Sequence, residues 1–404
     1  MLSVVEARER ILSHFQATNT ETVPLTRCAG RILGADVTAP HDIPLFDNSA
    51  MDGFAIRAED TDASGTTLEV VADIPAGSTP EVTLAPGQAA RIMTGAQLPA
   101  GADAVIPVED TDFQNRAAGT PAPETTTFSR TVQAGENVRP RGLDMRAGDV
   151  VIHKGRMLKP QDLGLLAMLG AAHVTVHKKP RVALLSSGDE LLEVDAPLEP
   201  GKIRDSNSYT LAAAIERAGA EVLRLGVAGD SRDAVTALLD RAASEHVDLI
   251  LSSAGVSVGA FDFIKEVIEA NGRMDFWRVN MRPGKPLAFG EYKGIKFIGL
   301  PGNPVSAFVG FEVFVRPALG RLAGSMDGDR QRVRVRCGEE VESDGRESYL
   351  RAKLRHENGV LLASLTGHQG SGNLLSLVQA DALLIIPAGV KCVPAGQEVE
   401  AILL

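Results

Sequence analysis

The chain has 404 residues, 44% of them hydrophobic, and this size predicts several folded domains because one domain usually holds on the order of 100 to 200 residues. Its 41 Lys and Arg against 52 Asp and Glu give a formal net charge of -11, which argues against a general surface for nucleic acid or anionic membrane. No apolar run approaches the roughly 18 residues of a membrane-spanning helix, so we expect neither nucleic-acid binding nor membrane insertion.

The first predicted element is a helix from Ser3 to Phe15, in which Ser3 and Glu6 have the spacing of a capping box. Charged residues soon interrupt any signal-like apolar stretch, so we expect a cytoplasmic protein. The 3 cysteines are far apart and odd in number, which favours reduced thiols over a disulfide framework or a zinc site.

Changes in composition and periodicity predict four domains. A proline-punctuated run at 39–44 ends a first unit, short β-type runs between Gly and Pro turns follow, and the first unit then resumes. Strands alternate with helices from 179 to 324, which indicates a three-layer α/β sheet, and a purely β pattern closes the chain. The predicted boundaries are 1–45 with 142–178 for a discontinuous domain, 46–141 for an inserted β domain, 179–324 for the α/β domain and 325–404 for a β-barrel or sandwich.

Polar, glycine-rich segments follow three predicted strands of the α/β domain, at 186–190, 229–230 and 252–262. Ligands of open α/β sheets bind outside the carboxyl ends of the strands, where small residues let backbone N–H groups approach an anion. Glu190, Asp230 and Asp262 are therefore candidate Mg²⁺ ligands beside a phosphate. Asp230 and Asp262 could instead cap helices, but three acids at three strand ends favour a site. The small residues predicted to contact the cofactor are Ser187, Gly188, Gly255, Ser257 and Gly259.

A cluster of three cations follows the next strand and consists of Arg278, Arg282 and Lys285. Arg binds oxyanions in a planar fork and Lys acts as a point charge, so the mixture suits an extended polyanionic ligand, although a solvated basic turn is the alternative. After the last strand, Pro304 fits the start of a helix, and the backbone of Gly302-Asn303 could present N–H groups to an anion.

Two compact polar loops occur in the inserted domain, at 48–55 and 91–96. By spacing alone, Asp52 and Thr94 in these loops are turn residues. Arg139 and Asp144 lie in the segment 138–144, close to the predicted end of the insertion.

Six motifs in this order resemble the molybdopterin molybdenumtransferase family, which includes the bacterial MoeA proteins and the E domain of gephyrin, and the resemblance runs nearly end to end. The motifs are NSAMDGFA at 48–55, MTGA at 93–96, SGDEL at 187–191, AGVSVG at 254–259, MRPGKP at 281–286 and GLPGNPVS at 299–306. The resemblance implies a multidomain α/β plus β fold, with an elongated discontinuous domain, an inserted β domain, a three-layer α/β pterin-binding domain and a C-terminal β-barrel.

The resemblance also implies the reaction: Mg²⁺-assisted insertion of molybdate into adenylyl-molybdopterin, giving molybdenum-molybdopterin and AMP. It implies a homodimer whose cleft joins the α/β domain of one subunit to the inserted domain of the other. Docking with the upstream adenylyltransferase and with downstream cofactor-delivery or nucleotide-attaching proteins is a further expectation. The implied metal and phosphate ligands are Glu190, Asp230 and Asp262; the facing wall is Asp52, Thr94 and Asp144; the anion-binding cations are Arg139, Arg278, Arg282 and Lys285; Pro301, Pro304 and Ser371 match further cleft positions.

One departure concerns the basic turn, because members of the family often have Lys where this chain has Arg278 and Arg282. The charge survives but its geometry differs, so the cation that contacts molybdate and the one that contacts phosphate are left open. Two alternative functions are a non-catalytic pterin-binding or scaffold protein, and the upstream adenylyltransferase, which resembles the α/β domain alone.

Overall fold

The computed structural model describes residues 1–113, 119–229, 231–253 and 261–404, without the side chains of Phe261, Asp262 and Phe276. Contacts divide the chain into two compact units. The larger unit comprises Met1–Ala35, Lys154–Gly164 and Ala171–Leu404, and the smaller unit comprises Asp36–His153 and Leu165–Gly170. The four predicted domain boundaries are finer than this division and stay a prediction.

The N-terminal helix spans Val4–Leu12 and has the predicted capping box. The Glu6 N–H donates to Ser3 Oγ at 3.1 Å, and the Ser3 N–H donates to the Glu6 carboxylate at 2.8 Å, so two N–H groups at the helix start are satisfied. The helix ends at Leu12, earlier than the predicted Phe15. The α-helices are Val4–Leu12, Pro160–Met168, Asn207–Arg217, Arg232–Ser244, Phe261–Asn271, Pro304–Gly310, Arg316–Leu322 and Leu374–Val378, with a π-helical segment Phe311–Val315 and short 3-10 turns at Leu25–Arg27, Ala58–Asp60 and Val108–Asp110.

The smaller unit is built on a five-stranded mixed sheet. Its strands lie in the order Ala104–Pro107, Gly53–Ile56, Gln88–Ile92, Thr67–Ile74 and Thr125–Thr127. Phe54 and Ile56 pack into one core and Ala55 into another, as the alternation of side chains along a strand requires. Position 53 requires glycine, because a Cβ there would lie 2.0 Å from the Ile106 carbonyl oxygen of the neighbouring strand.

The α/β domain of the larger unit contains a six-stranded sheet in the order Glu221–Ala228, Arg181–Ser187, Leu249–Ser253, Ile295–Leu300, Pro286–Tyr292 and Gly272–Arg278. The first four strands are parallel, and Pro286–Tyr292 is antiparallel to both of its neighbours. Val182 packs into a core with one set of helices and Ala183 into a core with another, so helices cover both faces. This confirms the predicted three-layer α/β fold.

The C-terminal part of the larger unit is a closed five-stranded β-barrel. Its strands are Arg332–Cys337, Glu347–Glu357, Val360–Leu365, Ala382–Ile386 and Glu398–Leu403. The predicted tight turn at Asn358-Gly359 is present, with φ of 50° and 77°. A sixth strand, Met281–Arg282, joins the barrel sheet although the sequence assigns it to the α/β domain.

Five further pairs of short strands complete the described structure. They are Thr20–Pro24 with His173–His177, Val37–Thr38 with Val150–Ile152, Asn48–Ser49 with Val138–Arg139, Leu191–Leu192 with Ile203–Arg204, and Val341–Glu342 with Cys392–Val393. Within the residues that the structure describes, none of the helices is long and apolar enough to cross a lipid bilayer.

Candidate active site

A cleft of about 620 Å³ opens in the larger unit between the α/β domain and the barrel. It lies beyond the carboxyl ends of the parallel strands Arg181–Ser187, Leu249–Ser253 and Ile295–Leu300, where an open α/β sheet is expected to bind its ligand. Predicted site residues that line it are Glu190, Arg282, Lys285, Pro301, Gly302, Asn303 and Ser371. Tertiary structure therefore brings seven of the predicted residues to one surface.

The segment that follows the strand Arg181–Ser187 forms one wall of the cleft, where Glu190 lines it. Ser187 is 2% exposed, and its Oγ has no hydrogen-bond partner in the described structure. Gly188 follows at φ 144°, and a Cβ there would lie 2.6 Å from Glu190 Oε2. The Glu190 carboxylate is exposed and, among the described residues, has neither a hydrogen bond nor an ion pair. The Glu190 carboxylate is thus open to a ligand in the cleft, and the unpaired Ser187 hydroxyl is buried behind it.

The basic turn forms a second wall. Arg282 is half-buried and Lys285 is exposed, and neither side chain pairs with any other residue that the structure describes. The turn is closed by the Val279 N–H, which donates to the Lys285 carbonyl at 2.8 Å. Arg278 is exposed at the end of the edge strand, opposite Pro286, and is absent from the described lining of the cleft.

A fourth cation, Arg351, lies behind the cleft and was not predicted. Its side chain is fully buried; Nε donates to Ser376 Oγ and Nη2 to the Gly370 carbonyl, each at 3.0 Å. Nη1 has no partner in the described structure. Burial, and then the nearby charge of Arg282, lower the pKa of Arg351 to about 10, so the group stays charged at neutral pH.

The sequence signal for Arg351 was misleading because Arg351, Lys353 and Arg355 alternate along one strand, a pattern typical of a solvated face. Lys353 and Arg355 are exposed as this pattern predicts, but the closed barrel and the loop around Gly370 cover Arg351. The alternation of side chains along a strand does not reveal that the start of this strand is covered by a loop from later in the chain.

The loop after the last strand is held by contacts from two directions. Asn207, at the start of a helix, donates from Nδ2 to the Gly302 carbonyl at 2.7 Å, and the Val305 N–H donates to the Ser371 carbonyl at 3.0 Å. Pro304 begins the helix Pro304–Gly310 as predicted. Asn207 lines the cleft but was missed, because its place at a helix start suggests only a capping role.

In the smaller unit the two predicted polar loops lie against each other. The Thr94 N–H and Oγ1 donate to Asp52 Oδ1 at 2.7 and 2.8 Å, and the Gly95 N–H donates to the Ser49 carbonyl at 2.8 Å. The hydrogen bonds from the Thr94 backbone and hydroxyl lower the pKa of Asp52 and outweigh its slight burial. Asp52 is therefore ionised, and within the described structure its Oδ2 has no hydrogen-bond partner.

Arg139 and Asp144 both lie near the surface of the smaller unit. Arg139 is exposed and pairs opposite Asn48, next to the loop that carries Asp52. Asp144 is also exposed, and its backbone N–H donates to the Ile43 carbonyl at 2.9 Å.

Several predicted residues lie outside the described residues, namely Asp230, Gly255, Ser257, Gly259 and the side chain of Asp262. The Ser231 Oγ accepts the Ala234 N–H at 3.2 Å, so the helix Arg232–Ser244 has its cap without Asp230. The helix Phe261–Asn271 starts before Asp262, which places Asp262 in the first turn and not at the cap. A cluster of three or more His, Cys, Asp or Glu able to hold a metal is not found among the described residues.

Comparison with known families gives matches along nearly the whole chain. Residues 2–170 match the MoeA N-terminal region (domains I and II), residues 183–321 match a probable molybdopterin binding domain, and residues 334–404 match the MoeA C-terminal region (domain IV).

Relatives and solved structures agree with these matches. Molybdopterin molybdenumtransferase 2 of Mycobacterium tuberculosis is 41% identical over 413 residues, covering 99% of each chain, and the Nostoc molybdopterin molybdenumtransferase is 38% identical, covering 94% of this chain and 88% of its own. The molybdopterin biosynthesis MoeA protein of Pyrococcus horikoshii superposes with a TM-score of 0.85 at 31% identity, covering 100% of both chains. The chain therefore belongs to the molybdopterin molybdenumtransferase family, an enzyme family of molybdenum cofactor biosynthesis.

Proposed function

We propose that this enzyme converts adenylyl-molybdopterin and molybdate to molybdenum-molybdopterin and AMP. Family membership and the charge pattern of the cleft support the proposal. Both substrates are anions, and a chain with a formal net charge of -11 needs a local cationic surface to hold them.

The observation that carries the proposal is a set of cations that lack partners among the described residues. Arg282 and Lys285 line the cleft without pairing, and the Arg351 Nη1 behind it is buried without an acceptor. A buried unsatisfied donor costs on the order of 1–3 kcal/mol, and the charges of Arg282 and Arg351 also repel each other. A bound oxyanion would offset the repulsion between these two charges, so we assign molybdate to Arg282, with the buried charge of Arg351 behind it, and the nucleotide phosphate to Lys285.

In the proposed reaction molybdate first binds in the cleft; a water oxygen then forms a bond to the adenylyl phosphorus, and the protons of that water pass to the phosphate products. The bond from that phosphorus to the bridging oxygen breaks, and the bridging oxygen leaves with the pterin phosphate while AMP departs. The two dithiolene sulfurs then form bonds to molybdenum, and one molybdate oxygen leaves as water with the two thiol protons. The cations of the cleft hold both anions in place and stabilise the charge that develops on the leaving oxygen.

The Glu190 carboxylate suits a hard divalent cation such as Mg²⁺, which prefers one or two carboxylates and phosphate oxygens. The Glu190 carboxylate is exposed and the Ser187 hydroxyl is buried, and neither has a partner among the described residues. Glu190, Asp230 and Asp262 are the proposed ligands. The cation would neutralise phosphate charge when it is bound.

The proposed active form is a homodimer in the cytoplasm. Asp52, Thr94, Asp144 and Arg139 of one subunit would complete the cleft of the other, which gives the ionised Asp52 a role beyond its turn. Adenylyltransferase upstream and delivery or nucleotide-attaching proteins downstream are the proposed docking partners.

Incubation of the purified protein with adenylyl-molybdopterin, molybdate and Mg²⁺ tests the proposal. We expect AMP and metal-loaded pterin to appear together, and both to be lost when molybdate is omitted or the divalent cation is chelated. Tight binding without AMP release would favour a non-catalytic pterin-binding or scaffold protein. Formation of adenylyl-molybdopterin from ATP would favour the adenylyltransferase.

A further inference from the structure

The turn that contains Arg282 is held by the C-terminal barrel as well as by the α/β sheet. The two-residue strand Met281–Arg282 pairs in parallel with the start of the barrel strand Glu347–Glu357, with Arg282 opposite Ser348. A change in the barrel at this point would therefore move the cation that lines the cleft.

One side chain reinforces this pairing. Arg346, directly before the barrel strand, donates from Nη1 to the Met281 carbonyl at 3.0 Å. Its Nε donates to Asp344 Oδ2 at 3.0 Å, and Nη2 donates to the same oxygen. Because a planar guanidinium group has a fixed geometry, holding one edge with Asp344 directs the other at the Met281 carbonyl. We call this pair the Asp344–Arg346 clamp.

Asp344 forms its hydrogen bonds with Arg346 and not with Arg282, whose guanidinium has no hydrogen-bond partner among the described residues. Hydrogen bonds from Arg346 lower the pKa of Asp344 despite partial burial, and the charge of Arg282 lowers it further. Asp344 lines a neighbouring cavity of about 480 Å³, which shares Arg282 with the cleft, and does not line the cleft itself. Asp344 can therefore influence the cleft through Arg346, which lines it, and through Arg282.

We propose that the Asp344–Arg346 clamp positions the Arg282 guanidinium, so that the barrel sets how tightly the cleft binds a tetrahedral oxyanion. The inference rests on the proposed function, because it assigns Arg282 to molybdate. The side chains of Arg346 and Asp344 are 31% and 38% exposed, and an ion pair of this exposure contributes little to stability. Loss of the clamp should therefore change affinity much more than folding.

The test compares Asp344→Asn with the wild-type protein in two measurements. Hydrogen–deuterium exchange of the ligand-free protein should become about tenfold faster over residues 279–286, because the turn loses its support. Calorimetric titration with molybdate should show about tenfold weaker binding, while the melting temperature stays within about 2 °C. Arg346→Lys, which keeps the charge but not the fork, should behave in the same way.

A matched control is Glu357→Gln. It breaks the ion pair between Arg355 and Glu357, which are two residues apart, like Asp344 and Arg346, but lie at the far end of the barrel strand Glu347–Glu357, away from the cleft. It should change neither measurement. In an Arg282→Gln background, Asp344→Asn should cause no additional loss of molybdate affinity, since the clamp acts through Arg282.

The outcomes separate this inference from the proposed function. If the wild-type protein binds no molybdate, the proposed function fails. The exchange measurement alone then tests whether the Asp344–Arg346 clamp supports the turn at residues 279–286. Unchanged exchange over 279–286 in Asp344→Asn overturns the inference. Equal weakening of molybdate binding with and without the Arg282 side chain also overturns it.

Discussion

Individual side chains around the cleft differ in whether the protein satisfies them. Arg346 is paired with Asp344, whereas Glu190, Arg282 and the Arg351 Nη1 have no partner in the described part of the chain. Folded proteins normally satisfy their buried polar groups. Unpaired groups of both signs along one cleft are therefore expected where a ligand with phosphate, oxyanion and metal completes them.

Glu190→Gln tests the carboxylate at the residue scale. The change removes a charge but keeps the shape, so we expect kcat for AMP release to fall about hundredfold, while the melting temperature stays within about 2 °C because the side chain is exposed and unpaired. Glu193→Gln, three residues further along, is the control and should keep full activity. A comparable loss of activity in both variants would contradict a specific role for Glu190.

Arg351→Lys tests the buried cation. Lys keeps a charge but cannot hold both Ser376 and the Gly370 carbonyl with one planar group, so the charge behind the cleft and the loop around Gly370 shift, and we expect molybdate to bind about tenfold to hundredfold more weakly in calorimetry. Arg355→Lys, at an exposed position of the same strand, should bind like the wild-type protein. Unchanged affinity in Arg351→Lys would make Arg351 a structural residue only.

At the scale of elements, one buried ion network joins the last helices of the α/β domain to the barrel. Glu312 lies in the π-helical segment Phe311–Val315 with a fully buried side chain. It accepts hydrogen bonds from Arg316 and, at 2.9 Å from both Nε and Nη2, from Arg330, which precedes the first barrel strand. Burial would raise the pKa of Glu312, but the bonds from Arg330 and Arg316 lower it overall.

Glu312→Gln should destabilise the protein by about 3–5 kcal/mol at pH 7, because two largely buried guanidinium groups lose their counter-charge. Denaturant titration followed by fluorescence measures the change. Glu400→Gln, which breaks the exposed pair with Arg332, is the control and should change little. If Glu312→Gln changed the free energy of unfolding only slightly, hydrogen bonding without charge would be enough to hold the last helices of the α/β domain to the barrel.

The same network predicts a pH dependence. The pKa of Glu312 is lower in the folded state than its ordinary value of 4.5, so its contribution is complete above pH 4.5 and is lost as the pH falls through the lowered value. We therefore expect the difference in unfolding free energy between wild type and Glu312→Gln to shrink in acid below pH 4.5. A difference that stays constant over that range would contradict the charged state of Glu312.

For the whole molecule, the proposed homodimer makes a quantitative prediction about mixed subunits. Asp52→Asn and Glu190→Gln should each be nearly inactive alone. If every cleft combines Glu190 of one subunit with Asp52 of the other, unfolding and refolding a one-to-one mixture should restore about a quarter of the wild-type activity, because half of the dimers are mixed and each has one intact cleft. The assay is AMP release after refolding. No recovery would place both residues in one subunit.

Much of the fold is determined by short-range sequence pattern. The capping box of Ser3 and Glu6, the alternation of strands and helices in the α/β domain, and the Asn358-Gly359 turn all depend on residues within a few positions of one another, and the structure confirms each. The sequence also predicts that the polar segment at Glu190 and the basic turn lie near each other, because each follows a strand and the carboxyl ends of parallel strands meet at one edge of a sheet.

Only the tertiary structure decided which of these residues meet. Arg351 is buried because a loop from elsewhere in the chain covers it, Asp52 pairs with Thr94 across two loops, and the barrel captures the strand Met281–Arg282. These contacts join residues that are distant in sequence. Local periodicity describes only residues within a few positions of one another, so it cannot predict such contacts. Composition and spacing predicted a layered protein with polar and basic segments at one edge of its sheet, and closure of the barrel decided that Arg351 is buried behind that edge.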